Sequence, residues 1–173
     1  MLNAKDSTNT IFFYQKALDL GDSSKITLKH MGIALNVKNR FSESAFYLEK
    51  VFEIDSTDLV SNYFYAKSLN NYDNPEKALE ILNVTEKLIL PIPDELSSLY
   101  EEMSVSQMLK GEYPAAISVF EKAIQANPKR IDLLITIAEL YEETLNDKRK
   151  AYDYHSQFIK KFEEYKETGK DIS

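Results

Sequence analysis

The chain has 173 residues, 43% hydrophobic and 28% charged, with a formal net charge of −7. That length can bury a core in one domain or one short array, and the acidic balance argues against general nucleic-acid binding, which needs a basic face. With no cysteine there is no disulfide, thiolate metal site or cysteine nucleophile, and a cysteine-free chain suits either the cytoplasm or an oxidising compartment.

No apolar run approaches the roughly 18 residues of a membrane span. The first ten residues are polar, with no apolar stretch of signal-peptide type. The four Gly and five Pro fall mostly at expected helix ends, which points to a largely helical chain.

Helix signals come in pairs. An apolar run from Ile11 to Leu18 reads as a first, unpaired helix. Asp22, Ser23 and Ser24 can cap the next, whose expected apolar face is Ile26, Leu28, Met31, Ile33, Leu35 and Val37. Asn39 takes the turn. A partner helix runs through Ala45, Phe46, Leu48, Val51, Phe52 and Ile54, and the Asp55, Ser56, Thr57 run stops it and caps its successor. Val60, Phe64, Tyr65 and Leu69 mark the next helix, with a loop expected over 70–74. Pro75 suits a first helical position, where its missing N–H would be unpaired anyway.

Pro91 and Pro93 break the chain near Leu90, and Asp94 is the expected cap of the following helix. Gly111 fits the left-handed position past that helix. Pro114 starts its partner, and Asn127 with Pro128 ends it. Ile131 to Leu145 and Ala151 to Thr168 form the last pair, with Gly169 as terminator. Helices joined by loops this short pack antiparallel.

The pairs repeat at about 34 residues, the mark of stacked helical hairpins. The clearest copy, residues 97–130, carries Tyr100, Met103, Ser104, Gly111, Tyr113, Ala116, Phe120, Ala123 and Pro128. Residues 25–58, 59–92 and 131–168 follow the same register. Four extra residues stand before the third copy, and a one-residue slip falls in the fourth. Residues 7–22 match the second helix of a further copy. Residue 8 of each copy is small (Gly32, Ala66, Ser104, Ala138), as a close helix crossing requires, and Leu48, Leu82 and Phe120 stand at residue 24 as large knobs expected between hairpins.

This pattern resembles the tetratricopeptide repeat (TPR) family over nearly the whole chain. The resemblance implies an all-α fold: a right-handed superhelical array of antiparallel helix hairpins, a TPR-like α-solenoid, over 1–173. The family's tryptophan at residue 4 of the repeat is replaced by Leu28, Asn62, Tyr100 and Leu134, of which Asn62 fits worst. An array opening on a lone second helix reads as a piece of a longer one, with self-association through that helix as one expectation. Ile159, Phe162 and Tyr165, alternating with charges, read as a half-solvated capping helix.

No catalytic constellation emerges, so the chain reads as a non-enzyme with no cofactor and no metal. His30 is expected on an exposed inner face and His155 at a packing seam, neither with a carboxylate or second histidine at metal-ligand spacing on a shared face. The resemblance places binding on the concave face of the first helices. There it selects Lys29, His30 and Ile33; Tyr63, Phe64 and Lys67; Glu101, Glu102 and Val105; and Asp132, Glu139 and Glu142.

The family's chaperone-tail carboxylate clamp needs lysines, arginine and asparagines at fixed positions. This chain offers Lys29, Ile33, Phe64, Ser98 and Glu102 in one frame and Tyr63, Lys67, Glu102, Asp132 and Thr136 in the other, so no clamp is expected. The expected groove is weakly basic early, aromatic at Tyr63 and Phe64, and acidic late. It suits a protein or peptide partner with a basic segment. The alternative is a small ligand or glycan stacked on Tyr63, Phe64 and Tyr100.

Overall fold

The computed structural model describes residues 4–88 and 93–168. In chain order the helices are α1 (Ala4–Asp19), α2 (Lys25–Val37), α3 (Phe41–Ile54), α4 (Leu59–Asn71), α5 (Pro75–Glu86), α6 (Pro93–Leu109), α7 (Tyr113–Ala126), α8 (Asp132–Glu139) and α9 (Lys148–Thr168). A π-helical turn, Leu140–Thr144, follows α8. The described residues contain no strand, so the fold is all-α.

Where the sequence reads as one array, the structure divides into two compact units, Met1–Leu90 and Pro91–Ser173. In the first, α1 packs on α2, α2 on α3, α3 on α4, α4 on α5, and α2 also meets α4. In the second, α6 packs on α7, α7 touches α8, and α8 packs on α9.

Local chemistry sets most helix ends. Ser24 caps α2 by accepting the Thr27 amide, while the Asp22 carboxylate takes the Thr27 hydroxyl at 2.7 Å and the Ser24 amide at 2.9 Å. Asn74 caps α5 ahead of Pro75. Two expected caps move. Asp58, rather than the run before it, caps α4 by accepting the Ser61 amide at 3.1 Å. Asp94 lies inside the first turn of α6 and accepts Asn127 Nδ2 at 2.7 Å. Helix α4 also runs on to Asn71, into the segment read as loop. Leu90, Pro91 and Gly169 lie outside the described residues.

The first helix of each pair ends on a left-handed residue: Asn39 (φ 59°), Asp73 (φ 61°), Gly111 (φ 76°) and Asn146 (φ 51°). In three of them the next amide donates five residues back, Arg40 to Leu35, Asn74 to Leu69 and Glu112 to Gln107, at 2.8–2.9 Å. In the fourth, Asp147 reaches six back, to Tyr141, at 2.8 Å. The π turn, closed by the Leu145 amide on the Leu140 carbonyl at 3.0 Å, absorbs the extra residue behind the slip noted in the sequence. It also ends α8 at Glu139, short of the Leu145 expected.

Leu48, Leu82 and Phe120 are fully buried or nearly so, each contributing about 1.5–3 kcal/mol of apolar burial. Leu48, expected between hairpins, also faces Gly32 within its own hairpin, where α2 and α3 cross closely. Ser44 is the small residue at the α2–α3 crossing. Its hydroxyl donates to the Gly32 carbonyl at 2.8 Å and meets Ser68 Oγ at 2.8 Å. Ile26, read as part of the apolar face of its helix, is exposed, as is Val60 of α4. In the second unit Ile117, Phe120, Ala123, Leu133, Ile137 and Leu140 form the core, and Tyr100, Tyr141 and Tyr154 pack against it.

Candidate functional site

The candidate site residues sit on the first helices of the pairs, and each unit holds its own set. In the first unit α2 carries Lys29, His30 and Ile33, and α4 carries Tyr63, Phe64 and Lys67; all six are half-buried. Asn36, one turn beyond Ile33, ties these helices together. It is buried, and its Nδ2 donates to Ser68 Oγ at 2.8 Å and approaches the Phe64 carbonyl at 3.5 Å. A buried amide with its partners in place fixes the spacing of α2 and α4.

Tyr63 and Phe64 meet edge to face, centroids 5.5 Å apart at 82°, and Lys67 Nζ lies 5.8 Å from the Tyr63 ring. Lys29 is committed: its ammonium holds both oxygens of Asp58 at 2.7 and 2.8 Å. Lys25 beside it binds Asp55 at 2.6 Å. The Lys25 bond holds the Asp55 carboxyl well below the ordinary range. Burial raises Asp58, but its bonds to Lys29 and Ser61 outweigh that and leave it lowered.

His30 does not stand open on the inner face. Its ring stacks on Tyr14 of α1, centroids 5.3 Å apart at 10°, and its Nδ1 contacts the Ile26 carbonyl at 2.9 Å. No residue near His30 in the chain signals this contact, because Tyr14 lies on a separate helix.

In the second unit Glu101, Glu102 and Val105 on α6 are half-buried, and Asp132, Glu139 and Glu142 are exposed. Arg130, which the sequence did not single out, gathers two of the acids. It binds Glu101 at 2.9 Å and grips Asp132 at 2.9–3.2 Å through Nε and Nη2. Glu142 falls in the π turn, with its carboxylate 3.8 Å from His155 Nε2 on α9. Tyr100 packs into the core of this unit, with Lys122 Nζ 5.8 Å from its ring. Among the described residues no cluster of three or more His, Asp or Glu side chains has the arrangement of a metal site.

No family model and no curated protein sequence matches the chain. Solved structures do. MamA aligns over 94% of this chain and 92% of its own, with TM-score 0.79 and 21% identity. MamA of Desulfovibrio magneticus RS-1 covers 90% and 85%, with TM-score 0.77 and 14% identity. YrrB, described as a TPR protein with an unusual peptide-binding site, covers 90% and 78%, with TM-score 0.72 and 19% identity. The chain has the tetratricopeptide-repeat fold.

Within a TPR fold the Lys29–Asp58 bridge has a plain consequence. The lysine standing at a clamp position in the first sequence frame is bound to the cap of the next first helix, and its charge is spent there. The ion pairs that rearrange the site, Lys29 with Asp58 and Glu101 with Arg130, each join residues 29 apart. Only the recurrence of one TPR first helix against the next brings such residues together.

Proposed function

We propose that the protein is a non-catalytic interaction scaffold whose first helices hold segments of a partner polypeptide. The observation that carries this reading is the α2–α4 face. Ile33, Tyr63 and Phe64 are half-exposed apolar groups on two helices pinned by the buried Asn36 amide. Aromatic side chains held in place lose little freedom when a partner covers them, which favours them as anchors. YrrB, similar in fold, is described as having a peptide-binding site, and this supports a peptide as the ligand class.

The second unit's share is electrostatic. Arg130 binds both Glu101 and Asp132 and offsets one of their two charges, so attraction for a basic segment falls mainly to the exposed Glu139 and Glu142. Charges of this kind steer encounter and set salt dependence more than they add raw affinity.

Peptides selected from a random displayed library on the wild-type chain test both parts. Tyr63→Ala with Phe64→Ala should weaken one class of peptides at least tenfold while the helical circular dichroism is kept. Glu139→Lys with Glu142→Lys should abolish the salt dependence of basic peptides. A selection that neither pair of substitutions alters overturns the proposal.

A further inference from the structure

The first unit repeats a second feature, on the solvent side of α1 and α3. Phe12, Lys16 and Leu20 follow one another at four-residue steps along α1 and its last turn, so they form one stripe. Phe46, Lys50 and Ile54 do the same on α3, 34 residues later at every position. All four apolar members are open to solvent: Phe12 55%, Leu20 89%, Phe46 53% and Ile54 57% exposed.

The geometry repeats along with the residue types. Lys16 Nζ lies 4.7 Å from the Phe12 ring, and Lys50 Nζ lies 4.2 Å from the Phe46 ring. Each phenylalanine also meets the next ring edge-on, Phe12 with Phe13 at 5.7 Å and Phe46 with Tyr47 at 5.3 Å. A single exposed apolar residue needs no explanation, but a repeated apolar patch does. The later second helices do not carry it: the equivalent positions hold Glu80, Val84 and Leu88 along α5 and just past its end, and Ser118, Lys122 and Ala126 on α7.

The charges say what fits. Among the described residues, Lys16 and Lys50 make no ion pair. Lys25, Lys29 and Lys77 in the same unit are all bound to carboxylates. Each stripe therefore holds an unneutralised cation at its middle with an apolar group one turn to either side. Asp19 and Glu53, also 34 residues apart and exposed, lie beside the stripes. They keep each cationic strip narrow, which suits a peptide and opposes a broad anionic membrane surface.

We infer that the solvent faces of α1 and α3 form a second docking surface for an acidic, amphipathic polypeptide segment whose carboxylates meet Lys16 and Lys50 between apolar side chains. The surface lies on the second helices, so it is distinct from the first-helix face proposed above.

A phage-displayed random peptide library, selected on the immobilised full chain, tests the inference. The expected result is a class of peptides rich in Asp or Glu and in aromatic or aliphatic residues. That class should bind Phe12→Ser/Phe46→Ser, and separately Lys16→Glu/Lys50→Glu, at least tenfold more weakly, and should bind Tyr63→Ala/Phe64→Ala as it binds wild type. All four substituted side chains face solvent, so circular dichroism and melting should stay near wild type. Vesicles of phosphatidylcholine with phosphatidylserine should not sediment the protein. The inference is overturned if no selected peptide depends on the stripes, if the dependent ones are basic, or if the protein binds the vesicles through these residues.

Discussion

Leu48 of α3 lies so close to Gly32 of α2 that a Cβ built on the glycine would stand 2.5 Å from Leu48 Cγ and 2.8 Å from its Cδ2. Leu48 is fully buried and cannot swing aside cheaply. Gly32→Ala should therefore destabilise by about 1 kcal/mol. The overpacking cost of ~1–3 kcal/mol outweighs the helix-propensity gain of ~1 kcal/mol. Melting should fall by about 2–4 °C. In a double-mutant cycle with Leu48→Ala the penalty should vanish, and a Gly32→Ala variant that melts higher than wild type would refute the contact.

The left-handed helix ends give opposite responses to related substitutions. Asp73 holds φ 61° with a side chain, whereas Gly111 holds φ 76° without one, in open surroundings where an added Cβ would touch nothing. Asp73→Gly should stabilise by about 0.5–1 kcal/mol, and Gly111→Ala should destabilise by about 1 kcal/mol. Urea unfolding midpoints at constant slope check both signs.

Asn62 is buried where two of the other pairs place Leu28 and Leu134. Its Nδ2 donates to the Ser56 carbonyl at 2.8 Å, but its Oδ1 meets no donor. An unpaired buried oxygen costs about 1–3 kcal/mol, while Ser56 is exposed and water can reach its carbonyl instead. Asn62→Leu should leave stability unchanged or raise it by up to about 1 kcal/mol. A loss above about 2 kcal/mol in chemical denaturation would mean that the amide contributes more than this balance allows.

Acid should strike the first unit through its ion pairs. Asp55 is lowered by its bond to Lys25, and Glu49 by its bond to Lys77. A carboxyl lowered on folding adds stability above its unfolded pKa, and that stability is lost as pH falls through the folded value, because the unfolded chain binds more protons. The loss should begin near pH 4, the ordinary carboxylate range, and continue below it. Asp55→Asn should flatten the curve of denaturation midpoint against pH between 5 and 2.5. Parallel curves for variant and wild type would exclude this pair as a source of the slope.

Helix pairing and register were legible because they are local. The cap at Ser24, the helix start at Pro75, the left-handed Gly111 and the small residue required at Gly32 all act within one hairpin, where backbone sterics and side-chain volume leave few alternatives. The clearest misses were non-local. Nothing beside Lys29 announces Asp58, and nothing beside Glu101 announces Arg130, yet these bonds decide which charges of the candidate face remain for a partner. The stacking of Tyr14 on His30 likewise depends on two helices packing. The slip in the last pair could be counted from the residues, but only the structure put it in the π turn that presents Glu142 to His155. By itself, then, the sequence determined the all-α repeat and most of each buried helix face, since periodicity dictates those, although Ile26 and Ile54 turn out to solvent. Tertiary structure decided which charges are spent and which remain, because an ion pair depends on a few ångströms between atoms that the chain's order does not record.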